Sequence, residues 1–220
     1  MILIAFMLIM IGLGISDSSR GVFSGIFEKD LALTKPQVSL IVTVSSVGNL
    51  LFVALGGKAA DRFDRKKVIL SVLVIWTLAQ MLFAATNNYF CLLIGMFFSM
   101  GASTLLNTLM NLLSPLFFGS MAGMFVNILF FVQGIGTSGN QKITGSLADS
   151  YDDFRVIGIL LCAVGIIGAI ILGSKKFPEE PVAEKKEKTE SSVKVKLSYK
   201  TVIMLGIVFG FYFIAEHGIM

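Results

Sequence analysis

The sequence predicts an all-α polytopic membrane protein, built from long apolar helices joined by short polar turns. Of its 220 residues 55% are hydrophobic and only 15% are charged, which is too apolar for an ordinary soluble domain. Apolar segments follow one another along the chain, and each is long enough to cross about 30 Å of hydrocarbon as a helix. Composition and segment length therefore indicate the same fold class.

Seven apolar segments carry this prediction: 2–27, 38–60, 68–85, 89–113, 121–140, 156–173 and 201–220. The first segment has no basic residues before it, and it continues beyond the length of a signal-peptide core without a small-residue cleavage site. We therefore expect it to be a permanent helix.

Basic residues in two turns fix the predicted orientation. One group separates the second and third segments, and the other follows the sixth: Arg62, Arg65, Lys66 and Lys67, then Lys175, Lys176, Lys185, Lys186 and Lys188. Because lysine and arginine concentrate on the cytoplasmic side of a membrane, both groups and the N-terminus are predicted to lie there. The expected location is the cell (inner) membrane, with the lipid bilayer as a partner.

Composition changes sharply after the sixth segment. Residues 175–199 alternate Glu with Lys, include Pro178 and Pro181, and have few large apolar side chains, so they cannot bury a core. The predicted organisation is a six-helix transmembrane bundle at 1–174, a charged cytoplasmic linker at 175–199 and a seventh transmembrane helix at 200–220.

Several other classes of protein are disfavoured by the sequence. Cys91 and Cys162 lie inside apolar segments, and His217 is the single histidine, so neither a disulfide framework nor a metal site is expected. The sequence has no nucleophile elbow and no Walker loop, which predicts no enzyme activity and no cofactor. The net charge of +4 comes from turns beside membrane segments, so nucleic acid is not an expected partner.

The turn between the second and third segments has a specific pattern. Its spacing, Gly-x-x-x-Asp-Arg-x-x-Arg-Lys-Lys, comprises Gly57, Asp61, Arg62, Arg65, Lys66 and Lys67. This pattern resembles the signature loop of the major facilitator superfamily of secondary transporters. Members of that family usually have a glycine where this chain has Asp64, and Asp64 would be expected to adopt the left-handed conformation that glycine allows. The alternative is an ordinary basic turn that only sets orientation.

The resemblance implies a fold and a mechanism. The fold would be the six-helix N-terminal bundle of that family plus the first helix of its second half, and the mechanism would be alternating access. Gly57, Asp61, Arg62, Arg65 and Lys66 would form a conformational latch. Because the chain stops at Met220, we expect either a longer native product or pairing with a second half-transporter.

Ionisable and amide side chains within the apolar segments are the candidate site. Asp17 and Arg20 are separated by three residues on one helix face, where they could pair in a cavity; alternatively, the span ends near Ile15. Asn107 and Asn111 share a face of the fourth segment, and amides at that depth could bind sugar hydroxyls. The fifth segment adds Asn127 and Gln133, and for Gln133 simple helix–helix hydrogen bonding is an equal alternative.

A narrower resemblance is to the fucose permease branch of sugar–proton symporters. It rests on residues 127–136, on Asn111 and on residues 211–218, which include Glu216 and His217. Asn107 stands where that branch has an acidic residue, so coupling through this position is not expected because an amide cannot titrate. Glu216 and His217 could exchange a proton.

The predicted function is secondary transport of a small solute, as sugar–proton symport. The candidate solute or coupling-ion cavity comprises Asp17, Arg20, Asn107, Asn111, Asn127 and Glu216. Two alternatives stay open: drug or metabolite efflux by proton antiport, and a non-transporting membrane sensor or partner subunit.

Overall fold

Every element in the described part of the chain is a helix. The computed structural model describes residues 2–175, 177 and 204. The elements are α1 (Ile2–Val22), α2 (Ser24–Asp30), α3 (Lys35–Arg62), α4 (Arg65–Ala85), α5 (Tyr89–Phe118), a short 3-10 turn (Gly119–Met121), α6 (Ala122–Leu147) and α7 (Tyr151–Ser174). All of them belong to one compact unit, Met1–Pro178.

Six of these helices are long enough to cross a membrane. By length and composition, the described residues contain 5 candidate spans, and the longest, Tyr89–Leu147, comprises both α5 and α6. The predicted all-α membrane fold is therefore confirmed. The seventh predicted segment, 201–220, lies outside the described residues except for Met204, and so do Glu216 and His217.

Helix α1 has a central position in the bundle. It packs against α5, α6 and α7, while α3 packs mainly on α5, and α4 packs on α5 and α7. Phe6, Ile9 and Leu13 of α1 are fully buried, together with Trp76 of α4 and Leu106 of α5. Since α1 contacts three long helices, polar side chains on its different faces meet different partners.

The long helices from α3 to α7 extend beyond the apolar segments that predicted them. The largest extension is in α6, which continues past the predicted end at residue 140 to Leu147. Asn140 does not end the helix because its side-chain amide donates to the main-chain oxygen of Ile15 and to hydroxyls of α1. A polar residue that finds partners on a neighbouring helix need not mark a membrane boundary.

The turn between α3 and α4 corrects one prediction. Asp64 has φ −51°, so it does not adopt the left-handed conformation that was expected in place of glycine. Its carboxylate instead accepts hydrogen bonds from the main-chain N–H groups of Lys66 and Lys67, at 2.8 Å and 3.3 Å. Asp64 thus caps the N-terminus of α4, where an acidic side chain also complements the helix dipole.

The first predicted segment, 2–27, is interrupted at Phe23. This residue, with φ −92° and ψ 1°, separates α1 from α2. Its ring packs 5.1 Å from the ring of Phe154, and the ring of Phe27 lies 4.9 Å from Phe154. Asp30 then accepts a 2.7 Å hydrogen bond from the main-chain N–H of Tyr151. Aromatic packing and this cap therefore attach α2 to the start of α7.

Candidate functional site

The carboxylate of Asp17 is the charged group at the centre of the candidate site. Asp17 is half-buried on α1 and accepts a 2.7 Å hydrogen bond from the hydroxyl of Ser103 on α5. Its second oxygen accepts a longer bond, 3.5 Å, from the amide of Gln133 on α6. One carboxylate thus connects three helices, and an ionisable group within a membrane span is a candidate functional residue by default.

Three amide side chains continue from this carboxylate in an unbroken row. The oxygen of Gln133 accepts a 3.1 Å bond from the NH2 group of Asn107, and the oxygen of Asn107 accepts a 3.1 Å bond from the NH2 group of Asn111. We call Asp17, Gln133, Asn107 and Asn111 the polar row. Its members are all half-buried.

The far end of the polar row has an unused acceptor. The side-chain oxygen of Asn111 is buried and has no hydrogen-bond partner among the described residues. Leaving a buried polar atom unpaired costs about 1–3 kcal/mol, so such an atom needs an explanation. A solute hydroxyl or N–H group would satisfy it.

Close approach of α1 and α6 holds the polar row together. A Cβ atom at Gly14 would overlap the main-chain oxygen of Gln133, and a Cβ atom at Gly136 would overlap the main-chain oxygen of Ile11. Glycine at both positions lets the two backbones touch, as in other small-residue contacts between membrane helices. Gln133 can therefore reach Asp17 across this interface.

A second polar cluster lies beside the row but is closed. Gln80 of α4 donates to the hydroxyls of Ser16 and Ser99, at 2.9 Å and 2.8 Å, and the two hydroxyls are 3.1 Å apart. We call these three side chains the polar triangle. All are buried, with Gln80 2% and Ser99 0% exposed. The triangle joins α1, α4 and α5.

The other predicted cavity residues differ in their relation to the row. Arg20 is half-buried one turn beyond Asp17 and interacts with it electrostatically, and its side chain makes no hydrogen bond among the described residues. The expected direct Asp17–Arg20 pair is not what holds the carboxylate, since Ser103 and Gln133 are closer partners. Asn127 is exposed on α6 and does not join the row, and Glu216 lies outside the described residues.

The predicted latch residues lie where α3 ends and α4 begins. Lys66 extends to the neighbouring helix α7 and donates to the main-chain oxygens of Gly173 and Lys175, at 2.8 Å and 2.7 Å. Its ammonium also lies 5.8 Å from the ring centre of Phe177. A lysine at these carbonyls complements the C-terminal end of the α7 dipole. The loop between α3 and α4 is thereby connected to the C-terminal end of α7.

A cleft adjoins this loop. Its volume is about 500 Å³, and its lining includes Gly56, Arg62, Phe63, Asp64, Lys67 and Leu105. Gly57 faces open space. Asp61 is the penultimate residue of α3.

Within residues 2–175, no group of three His, Cys, Asp or Glu side chains is placed to hold a metal ion.

Sequence reasoning missed two members of the site or left them open. Gln133 was assigned with equal weight to helix packing, although it is the residue that connects Asp17 to the asparagines. Ser103 was not predicted to belong to the site. It is nevertheless 1% exposed, and its hydroxyl donates a hydrogen bond to the carboxylate of Asp17. The spacing of Ser103 and Asn107, one turn apart on α5, is the signal that could have found it.

Comparison with known proteins identifies the class of protein. The sequence profile of the Major Facilitator Superfamily matches residues 2–219. The chain therefore belongs to this family of multi-pass membrane transporters. The narrower resemblance to fucose permeases stays a prediction.

Two curated relatives come from Bacillus subtilis (strain 168). A hexuronate transporter is 25% identical over 202 residues, which is 87% of this chain and 48% of the relative. A bacillibactin exporter is 42% identical over 62 residues, which is 28% of this chain and 15% of the relative. The chain thus spans about half the length of the first relative and a smaller share of the second.

Proposed function

We propose that this chain supplies one half of the solute site of a secondary transporter, which moves a sugar or sugar acid together with a proton by alternating access. The observation that carries the proposal is the polar row, in which the carboxylate of Asp17 is bonded through amides to Asn111. Polar groups inside a membrane bundle are costly and mark solute or ion pathways. In repeat-built transporters such groups lie at the interface of the two halves.

The chemistry of the row suits a hydroxylated solute. Amides can both donate and accept, so Asn107 and Asn111 can bind sugar hydroxyls, and the buried, unpaired oxygen of Asn111 would accept a hydrogen bond from one of them. Arg20, whose side chain makes no hydrogen bond among the described residues, would bind a carboxylate on the solute. The name of the hexuronate transporter, a relative that covers most of this chain, supports an acidic sugar. Asn127 and Glu216 would complete the lining.

Asp17 is the proposed coupling residue. Position 107 is an amide, and Asp17 is the carboxyl to which it is connected, through Gln133. Carboxyl groups inside transporters commonly serve as proton relays. We therefore assign proton exchange to Asp17, with Glu216 as a second candidate.

The loop after α3 is proposed to be a conformational latch. Gly57, Asp61, Arg62, Arg65 and Lys66 would hold one conformation, and the contacts of Lys66 with the end of α7 support this role. A latch of this kind biases an equilibrium between states and does not contact the solute. If Asp61→Asn left both conformational exchange and uptake unchanged, the latch proposal would fail.

Uptake by membrane vesicles containing the native gene product tests the proposal. An imposed proton gradient, acidic outside, should drive accumulation of radiolabelled D-glucuronate or L-fucose. Asp17→Asn should abolish the gradient-driven part, whereas Asp30→Asn, a matched change on α2, should not. Arg20→Gln should lower uptake of D-glucuronate and spare L-fucose. Binding of either sugar without any uptake would indicate a sensor or partner subunit instead.

Efflux is a second candidate, favoured by the similarity of 62 residues to a bacillibactin exporter. Proton antiport would reverse the relation between the two gradients. Inverted vesicles with an acidic interior should then accumulate a fluorescent efflux probe such as ethidium, and symport predicts no such accumulation.

A further inference from the structure

The polar row has a direction. Asn111 donates to Asn107, Asn107 donates to Gln133, and Gln133 donates to Asp17. The orientation of each amide is set by the network around it, because its oxygen and nitrogen ends are not interchangeable as hydrogen-bonding groups. The row begins from a carboxylate that can only accept. For this reason the last amide, Asn111, is left with its buried oxygen unpaired among the described residues.

We infer that protonation of Asp17 reverses the polar row, so that Asn111 presents its NH2 group instead of its oxygen at the solute end. This inference rests on the proposed function, because it assigns a consequence to the proton that Asp17 takes up. It makes Asn111 a specificity-determining residue whose hydrogen-bonding character depends on a carboxyl group on another helix.

The steps follow from the donors and acceptors present. A proton from solvent binds the Asp17 oxygen that accepts from Gln133, and that oxygen then becomes a donor. The Gln133 amide must rotate by half a turn to offer its oxygen to this proton, which directs its NH2 group toward Asn107. Asn107 and then Asn111 rotate in the same way. One proton enters, no covalent bond breaks, and the number of hydrogen bonds in the row is unchanged.

Ser103 determines which oxygen takes the proton. Its hydroxyl holds one oxygen of Asp17 at 2.7 Å, and the longer bond from Gln133, 3.5 Å, leaves the other oxygen more available. Ser103 is buried and belongs to α5, so this bond holds the carboxylate against that helix. The proton is therefore directed to the oxygen that faces the amides.

Few charged groups surround Asp17. Among the described residues, Arg20 is the one that interacts with it electrostatically. Among the elements packed against α1, helix α5 has no charged residue, while the charged residues of the others are Glu28, Lys29 and Asp30 in α2, Arg65, Lys66 and Lys67 in α4, Lys142 in α6, and Asp152, Asp153 and Arg155 in α7. Those of α4 lie at its start, where Lys66 contacts the end of α7. Those of α2 and α7 lie near the α2–α7 contact, where Arg155 pairs with Asp152 at 3.0 Å. Lys142 is exposed.

The reversal has a consequence for the class of solute. With Asp17 ionised, the open oxygen of Asn111 accepts from hydroxyl groups. With Asp17 protonated, the open NH2 group of Asn111 donates to groups that can only accept, such as a carboxylate or a ring oxygen. An acidic sugar would therefore bind this position best together with the proton, which is the coupling that symport requires.

Side-chain NMR of the chain in lipid nanodiscs can test the reversal without transport. In ¹⁵N-asparagine-labelled protein, the NH2 resonances of Asn107 and Asn111 should shift with pH at the midpoint at which the ¹³C resonance of the Asp17 carboxyl titrates. The resonance of Asn127, which does not join the row, should stay constant and serves as the internal control. In Gln133→Met, Asp17 should still titrate while both asparagine shifts are lost.

Two results would overturn the inference. One is a constant Asn111 resonance while Asp17 titrates, and the other is an Asn111 shift that persists in Gln133→Met. If that variant does not fold, Asn107→Leu interrupts the row one step later, and the Asn111 resonance should then stay constant while Asp17 titrates. The proposed function fails separately: it falls if Asp17→Asn leaves gradient-driven uptake intact, whatever the asparagine resonances do.

Discussion

Two neighbouring residues of α1 belong to polar clusters of opposite kinds. Ser16 belongs to the polar triangle, in which Gln80 and the two hydroxyls bond to one another in the core. Asp17 begins the polar row, which is half-buried and ends at an oxygen without a partner in the described part of the chain. Successive residues of a helix point about 100° apart. One position along α1 therefore changes both the partners and the exposure of a polar group.

The difference separates structural polar groups from functional ones. The polar triangle is buried and its side chains bond to one another across three helices, so its contribution is to hold helices together. The polar row ends at an unpaired oxygen, which adds nothing to stability unless a ligand completes it. Substitutions in the triangle should change stability, and those in the row should change transport.

The largest expected effect concerns the interface that supports the row. Gly136→Val should destabilise the bundle by about 2 kcal/mol, because its side chain would overlap the backbone of α1. Gly134→Val is the matched control, since a Cβ atom there meets nothing within 4 Å. Unfolding by SDS in mixed micelles, followed by circular dichroism, measures the difference. Equal effects of the two changes would show that α1 and α6 do not touch as described.

The next largest effect tests the open end of the row. Asn111→Leu should weaken solute binding about tenfold, or about 1.4 kcal/mol, and leave the free energy of unfolding nearly unchanged. Thr108→Val is the control on the same helix, because among the described residues its hydroxyl bonds only to the main chain of Thr104. Equilibrium binding of D-glucuronate and SDS unfolding are measured in parallel. A loss of stability without a loss of binding would place Asn111 among the structural groups.

The triangle should give the reverse result. Gln80→Met removes two hydrogen bonds between helices and should destabilise the bundle by about 1 kcal/mol while gradient-driven uptake is retained. The same unfolding and uptake measurements apply. If uptake fell tenfold with stability unchanged, the triangle would have to be counted as part of the transport machinery.

The smallest effect concerns a satisfied group at the end of the bundle. Lys66→Met should cost about 0.5 kcal/mol, because its ammonium caps the last carbonyls of α7. Lys67→Met, an exposed neighbour, should cost less. Unfolding at low and high salt distinguishes the two, since a charge–dipole contact weakens with ionic strength. An identical response of both variants would contradict the cap.

The sequence predicted the fold class and six described spans because burial in lipid requires long apolar helices, a constraint that each segment meets alone. The sequence predicted the ends of the helices less well. Asp64 was given a turn conformation by analogy with glycine, whereas its carboxylate caps α4. Phe23 was placed inside one continuous helix, and its packing against Phe154 belongs to an aromatic cluster formed with residues distant in sequence.

Membrane insertion and the family were determined by sequence alone, because apolar length and charge spacing are local properties. The sequence also identified Asp17, Asn107 and Asn111 as unusual, since polar groups are rare in apolar spans. Only the tertiary structure decided how they are connected. Gln133 reaches Asp17 because Gly14 and Gly136 let α1 and α6 touch, and the distance between two helices is a property that neither helix encodes by itself.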